Sequence, residues 1–410
     1  MMAFLNWVSR DGKLLLAARI VRTFSYGFLS IVLAIYLKLM GFNEIFIGIV
    51  LTATLVNSVI FNLFASFYAD KIGRKKILII YAVLMAISGA IFLVTNNYVA
   101  LIVSALIGTI NVTGTEVGAF LSIEQAILPQ TVNDIKKRNS IFAIYNMAGT
   151  FAMSAGVLLS GIPQHIQKLY GLNQVESIRV LFLFYSICAV IVIGIYFFLS
   201  KKIELDPNIA KTVSIRTISP KSKGIVAKLS SLFAVDSFGG GFVIQSIVSF
   251  WFFSKFGADL TTLSYIFSIA GILTAFSFLF ATKIASRIGL INTMVFTHIP
   301  SNLLLILLAF APTFPIAIGI YLARMSLSQM DVPTRQSYIV AVVNEDERIA
   351  AAGITNTSRN IAQAVSPSLA GAIIQSLSLS APFVVGGLLK IVYDIGVYVN
   401  FRKIKPPEES

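Results

Sequence analysis

The chain has 410 residues, of which 57% are hydrophobic and only 12% charged, with a mean hydropathy of +0.85. A soluble domain could not hide so much apolar surface, so the chain belongs in a bilayer. Its 32 Lys and Arg against 18 Asp and Glu give a net charge of +14, but the basic residues sit in short loops between apolar runs, the pattern of membrane topology and not of a nucleic-acid surface.

Apolar runs near the roughly 20 residues needed to cross a bilayer fall at 14–37, 45–68, 77–95, 98–121, 140–161, 179–200, 229–254, 261–282, 291–311, 316–332, 351–375 and 382–400. They predict twelve transmembrane helices, numbered here as spans 1 to 12. The first run is too long for a signal peptide, carries Arg19 and Arg22, and has no small-residue cleavage site after it, so it reads as a span. In span 1, Arg19, Arg22, Tyr26 and Ser30 recur at three- and four-residue spacing and share one face. A polar stripe on an apolar span is expected to face a water-filled cavity.

Span 2 runs into Ala69-Asp70-Lys71-Ile72-Gly73-Arg74-Lys75-Lys76, and span 8 runs into Ala285-Ser286-Arg287-Ile288-Gly289, with Gly289 placed 216 residues after Gly73. Two other segments repeat at nearly that offset. Arg22 to Phe28 parallels Asp236 to Phe242 at 214, and Asn146 and Gly161 match Asn356 and Gly371 at 210. The chain therefore reads as two copies of one bundle, an N-terminal half over 1–200 and a C-terminal half over 229–410. The polar, basic stretch 201–228, with Pro207 and Pro220, joins them.

Span 4 holds Glu116, with no charged neighbour one turn away, and ends near Glu124. A lone carboxyl in a low-dielectric cavity can exchange protons near neutral pH, which suits Glu116 to proton coupling; a basic partner from another helix, Arg22 being nearest in depth, would act the other way, and a neutral acid bonded to helix backbone is the alternative. Span 7 holds Asp236, followed by Gly239-Gly240-Gly241, a stretch suited to a helix break or a close crossing. Trp251, Phe252 and Phe253 near its end read as an interfacial aromatic belt. Asp331 with Arg335, and Lys390 with Asp394, are spaced by four and read as local pairs. Arg359 shares span 11 with Asn356, Asn360 and Gln363. Cys188 is the single cysteine, and His165 and His298 lack ligand-spaced partners, so neither a metal nor another cofactor is expected.

With the N-terminus in the cytoplasm, most of the basic residues, including Lys136, Lys137 and the Lys201-to-Lys228 cluster, fall on the inner side. This asymmetry places both termini in the cytoplasm of a multi-pass plasma-membrane protein. No Asp-rich diphosphate motif, paired-His spacing, Gly-x-Ser-x-Gly or phosphate-cradling loop is present, so neither an enzyme nor an ATP-driven pump is expected. A channel or a non-transporting sensor remains a rival to a carrier.

The loop Ser66-Phe67-Tyr68-Ala69-Asp70-Lys71-Ile72-Gly73-Arg74-Lys75-Lys76 resembles the signature between helices 2 and 3 of the major facilitator superfamily, with Ser66 where that signature has Gly. The resemblance implies an all-α membrane fold of two pseudo-twofold-related six-helix bundles. It also implies a cytoplasmic latch in which Asp70 docks near Ala350 and Ala351, and Arg74 meets an acid at the end of helix 4, for which Glu124 is available. Gly73, Asp331 and Arg335 belong to the same latch. Because helices 1, 4, 7 and 10 line the cavity in that family, Arg22, Glu116, Asp236 and Arg324 are expected along the substrate path, with Tyr26, Asn356 and Arg359. Asp236 joins Glu116 in proton coupling, and Arg22 with Asp236 is expected to form an ion pair between the halves.

The stretch Met330 to Gln336, with Glu345-Asp346-Glu347-Arg348 and Asn356 through Gly371, looks like bacterial and archaeal facilitators grouped with exporters. Two exporter features are missing: Gly156 to Gly161 lacks the proline of the antiporter motif, and Ser104 to Gly114 contains no arginine. The function expected is a monomeric secondary active carrier that exports a small organic solute with proton coupling. Uptake of a sugar or organic acid by proton symport is the alternative.

Overall fold

The computed structural model describes residues 6–116, 118–132, 138–204, 219–344 and 347–404. Lys136, Lys137, the 205–218 part of the expected linker, Glu345 and Asp346 lie outside the described residues. The described chain is helical, and its exterior and interior follow the logic of a lipid solvent. Large apolar side chains such as Phe67, Val94, Phe197 and Phe276 are exposed, while Arg22, Glu124, Asp236 and Arg324 are buried. Lipid gives an apolar surface no reason to hide, whereas a charge in hydrocarbon must turn inward to find a partner.

Spans 1, 2 and 3 are single helices, Arg10–Leu39, Glu44–Ile72 and Arg74–Val94. Span 5 is Arg138–Leu159, followed by the short helix Ile162–Tyr170, and span 6 is Gln174–Phe197. Spans 8, 9, 11 and 12 are Leu260–Ile288, Leu290–Ala309, Arg348–Ser376 and Ala381–Phe401. Local chemistry starts several of them. Ser9 caps span 1 by accepting from Gly12 N, Asn97 caps span 4 through Ala100 N, and Asn173 with Glu176 forms a reciprocal capping box on span 6.

The remaining spans are broken. Span 4 comprises Tyr98–Ile107 and Ala119–Ile127 with a non-helical stretch between them, and span 10 comprises Phe314–Leu327 and Asp331–Ala341. Span 7 comprises Pro220–Gly241 and Gln245–Phe256. It begins inside the segment expected to be linker, and it breaks directly after the three glycines. Among the described residues, nine helical segments are long and apolar enough to cross a membrane. The three expected spans outside that set are 4 and 10, each divided, and 11, which is continuous but polar.

The chain gathers into two compact units: Met1–Phe42, Ile49–Val213 and Ala258–Tyr265 form the first, and Asn43–Gly48, Ser214–Gly257 and Ile266–Ser410 form the second. Within the first, span 1 packs on spans 5 and 6, and span 3 on span 6; within the second, span 7 packs on spans 11 and 12, and span 9 on span 12. Atomic contacts repeat as well. A Cβ at Gly156 would lie 1.8 Å from the Phe24 carbonyl oxygen, and in the second unit Ser366 Oγ donates to the Phe238 carbonyl at 2.7 Å. Phe238 follows Phe24 by 214 residues and Ser366 follows Gly156 by 210. The glycine of the recurring loop takes a positive φ in both units, Gly73 at +110° and Gly289 at +85°, each turning one helix into the next through a region that favours glycine.

Trp251 and Phe252 are fully buried, contrary to the aromatic belt expected. Trp251 Nε1 donates to Ser380 Oγ at 2.8 Å, and its ring packs on Phe252, Phe256 and Phe383. They form an internal aromatic layer, because the indole finds its hydrogen-bond partner inside the unit.

Candidate functional site

In the first unit the site is built around span 1. Arg22 is fully buried, its Nε donating to Glu116 Oε1 at 2.6 Å and its Nη2 to Glu124 Oε2 at 2.7 Å. Arg19, one turn earlier, pairs with the other Glu116 oxygen. Glu124 also accepts from the hydroxyls of Tyr145 and Tyr196, the latter at 2.6 Å, and Tyr196 OH accepts from Arg22 Nη1. The guanidinium of Arg19 lies over the Tyr145 ring at 3.9 Å and that of Arg22 over the Phe120 ring at 4.4 Å. Two arginines thus meet two carboxylates, and aromatic groups close the cluster. Tyr26 stands apart, its hydroxyl donating to Thr109 Oγ1 at 3.2 Å.

The break in span 4 makes this cluster possible. Glu116 lies in the non-helical stretch, between Gly114 and Gly118, which take φ of +80° and +115°. Glu116 is therefore not the isolated helical carboxyl expected. The unwound chain carries it to Arg19 and Arg22, and its side chain is 2% exposed.

In the second unit Asp236 is the hub. Lys390 Nζ reaches its Oδ1 at 2.6 Å, while Arg359 Nη1 and Arg335 Nη1 reach its Oδ2 at 3.2 and 3.4 Å. Arg335 also binds Asp331 at 2.6 Å. His298, on span 9, donates from Nδ1 to Asp394 Oδ1 at 2.8 Å and holds Nε2 at 3.9 Å from Asp236 Oδ1. Asn302 completes the Asp394 contacts at 2.9 Å. Arg324 is buried on span 10, with Nη1 3.3 Å from Met325 Sδ and Nε without a hydrogen-bond partner. Asn356 is exposed on span 11.

Several expected pairings differ from those observed. Arg22 and Asp236 are each neutralised by partners in their own unit. Arg74 donates from Nε to Asp70 at 2.7 Å, not to Glu124, which Arg22 occupies. The backbone N–H groups of Arg74 and Lys75 are instead capped by the Glu204 carboxylate at 2.6 and 3.1 Å, an acid at the start of span 3 where unpaired donors favour negative charge. Lys390 and Asp394 do not pair locally, and His298 is not isolated. Ahead of span 11, Glu347 accepts from Ser219 N at 2.6 Å, and hydrogen bonds from Ser222 and Ser219 hold its carboxyl down at about 2.

Twelve expected spans, two repeating units and charges buried along spans 1, 4, 7 and 10 are features of one transporter family, and residues 15–330 match the Major Facilitator Superfamily. The chain belongs to that superfamily. Membership makes it a multi-pass membrane protein of a transporter family. The chain is 27% identical over 417 residues to the uncharacterized membrane protein YJR124C of Saccharomyces cerevisiae, covering 94% of this chain and 93% of that one. Its fold resembles the nucleoside transporter NupG, with a TM-score of 0.72 at 16% identity over 96% of this chain and 99% of that one. It also resembles a D-xylose-proton symporter, with a TM-score of 0.73 at 15% identity over 96% and 98%.

Proposed function

We propose that this facilitator is a monomeric secondary active carrier in the plasma membrane, with cytoplasmic termini, exporting a small organic solute in exchange for protons. Asp236 carries the reading. One buried carboxylate is shared by cations from spans 10, 11 and 12 and stands within 4 Å of a histidine from span 9. Protonating Asp236 would remove the charge that holds those spans together, which is the linkage a proton-driven carrier needs. Glu116 is the second coupling carboxylate, and Arg22, Tyr26, Arg324, Asn356 and Arg359 complete the substrate path. Asp70, Gly73 and Arg74, now with Glu204 in place of Glu124, serve as the latch with Asp331 and Arg335.

Export rests on the likeness of Met330 to Gln336 and of span 11 to exporters. Proton-driven uptake is the second reading, favoured by the structural likeness to a D-xylose-proton symporter. Purified protein in vesicles with a trapped pH-sensitive dye tests both, using gradients of pentoses, nucleosides and aromatic acids. Solute moving out with protons moving in supports export, and co-directional movement supports uptake. Asp236→Asn is expected to abolish accumulation driven by a pH gradient while solute counterflow persists. Unchanged pH-driven accumulation in that variant would refute coupling at this carboxylate.

A further inference from the structure

In the cluster on span 1, Arg19 and Arg22 face Glu116 and Glu124. In the second unit, Asp236, Asp331 and Asp394 meet the buried Arg335 and Lys390 and the partly exposed Arg359, with His298 bridging two of the acids. Buried Glu347, ahead of span 11, is held by Ser219 and Asn344. Each of the three aspartates has a cationic or histidine partner, and the group left over among the described residues is Arg324. Its residue is 8% exposed, its Nε is unbonded, and its Nη1 contact is a thioether, a weak acceptor.

Two features of the fold compensate this charge only in part. Arg324 lies in the last turn of Phe314–Leu327, where the helix dipole favours a cation, but that interaction is worth about 0.3–1 kcal/mol. Burying an unpaired ion costs several kcal/mol. Tyr321, one turn earlier on the same face, is neutral and packs its ring on Phe252 and Phe267. Arg324 is ten residues into a helix rising 1.5 Å per residue, so it sits about 15 Å from the start of span 10, near the middle of a hydrocarbon core of about 30 Å. A guanidinium held there beside an aromatic wall presents a planar fork suited to carboxylate or phosphate oxygens.

We infer that Arg324 is the anion-recognition point of this carrier, and that its cargo is a small organic monoanion bearing a carboxylate or phosphate. The inference rests on the carrier reading and specifies its substrate class. Negative cargo compensates Arg324 while bound, and its departure leaves the guanidinium uncompensated again.

The test is thermal unfolding of the purified full-length protein at low ionic strength with benzoate, phenyl phosphate, benzamide, benzyl alcohol and benzylamine. At least one of the two anions is expected to raise the wild-type melting temperature by about 2 °C or more, the scale of roughly 1 kcal/mol for a large domain. The neutral and cationic analogues are expected to leave it unchanged. Benzoate against phenyl phosphate separates carboxylate from phosphate recognition. Arg324→Gln is expected to lose the anion response and Arg324→Lys to retain part of it. Without ligand, Arg324→Gln is expected to melt above wild type, because an uncompensated charge has gone; a purely structural arginine would give the opposite sign. Anion shifts that survive Arg324→Gln, larger shifts from benzamide or benzylamine, no wild-type shift with either anion, or a lower melting temperature for ligand-free Arg324→Gln would overturn the inference. Anion binding without pH-driven transport would break the coupling proposal alone, and pH-driven transport of neutral solutes would break this one alone.

Discussion

The two units carry the same buried ion pair with its polarity reversed. Arg22 binds Glu124 in the first, and Asp236 meets Arg335 in the second. Asp236 follows Arg22 by 214 residues and Arg335 follows Glu124 by 211. Geometry has therefore been kept where charge has not. The surroundings differ too: in the first unit tyrosine hydroxyls help to satisfy Glu124, whereas in the second three cations crowd Asp236 and the Arg359 side chain is 23% exposed. A closed cluster in which each acid meets an arginine resists change. The second cluster, with three cations on one carboxylate and Arg359 partly exposed, has more room to rearrange.

Breaking the Arg22 cluster should have the largest effect. Arg22→Met leaves Glu116 and Glu124 buried with less compensation, and removing one member of a buried pair costs about 3–5 kcal/mol, so the yield of monodisperse protein should collapse. Installing the second unit's polarity sharpens the point: Arg22→Glu with Glu124→Arg should recover part of that yield. Exchanging charges between the units, Arg22→Asp with Asp236→Arg, should recover none, and size-exclusion profiles of the three variants decide it.

The repeated backbone contact should rank next. Gly156→Ala drives a Cβ into the Phe24 carbonyl, an overpacking worth about 1–3 kcal/mol. Ser366→Ala removes only one hydrogen bond from the equivalent place, about 1 kcal/mol. Melting temperatures of the two variants should fall in that order.

The smallest effect concerns Glu347. Its carboxyl is held at about 2 in the folded chain, against about 4.3 for a free glutamate, so it adds stability above that higher value and loses it as the pH falls toward 2. Glu347→Gln should be less stable than wild type at pH 7, with the gap narrowing from about pH 4.3 downward. A gap that widens on acidification would contradict these hydrogen bonds.

The loop glycines and the buried charges were legible because each breaks an otherwise apolar pattern: Gly73 and Gly289 mark one turn, and Arg22, Glu116 and Asp236 mark polar interiors. Pairing was not legible. Equal repeat positions indicate similar depth, but not the direction a side chain takes around its helix, so Arg22 and Asp236 looked like partners for each other. Arg22 was legible as a possible partner of Glu116, but the non-helical setting was missed because span 4 read as continuous. The signal was present in Val112-Thr113-Gly114-Thr115-Glu116-Val117-Gly118, where two glycines and four β-branched residues weaken a helix. His298 offered little signal, since Asn302 is its neighbour on the same helix but its acidic partners lie on spans 7 and 12.

The interruptions in spans 4 and 10 and the polarity of span 11 also bear on how the chain is made. Among the described residues, nine helical segments are long and apolar enough to enter lipid unaided. A ten-residue helix followed by bare peptide groups, or a helix bearing Asn356, Arg359, Asn360 and Gln363, has no such independence, because its polar groups need protein around them. The composition of these three spans therefore favours entry alongside neighbours that can satisfy their polar groups.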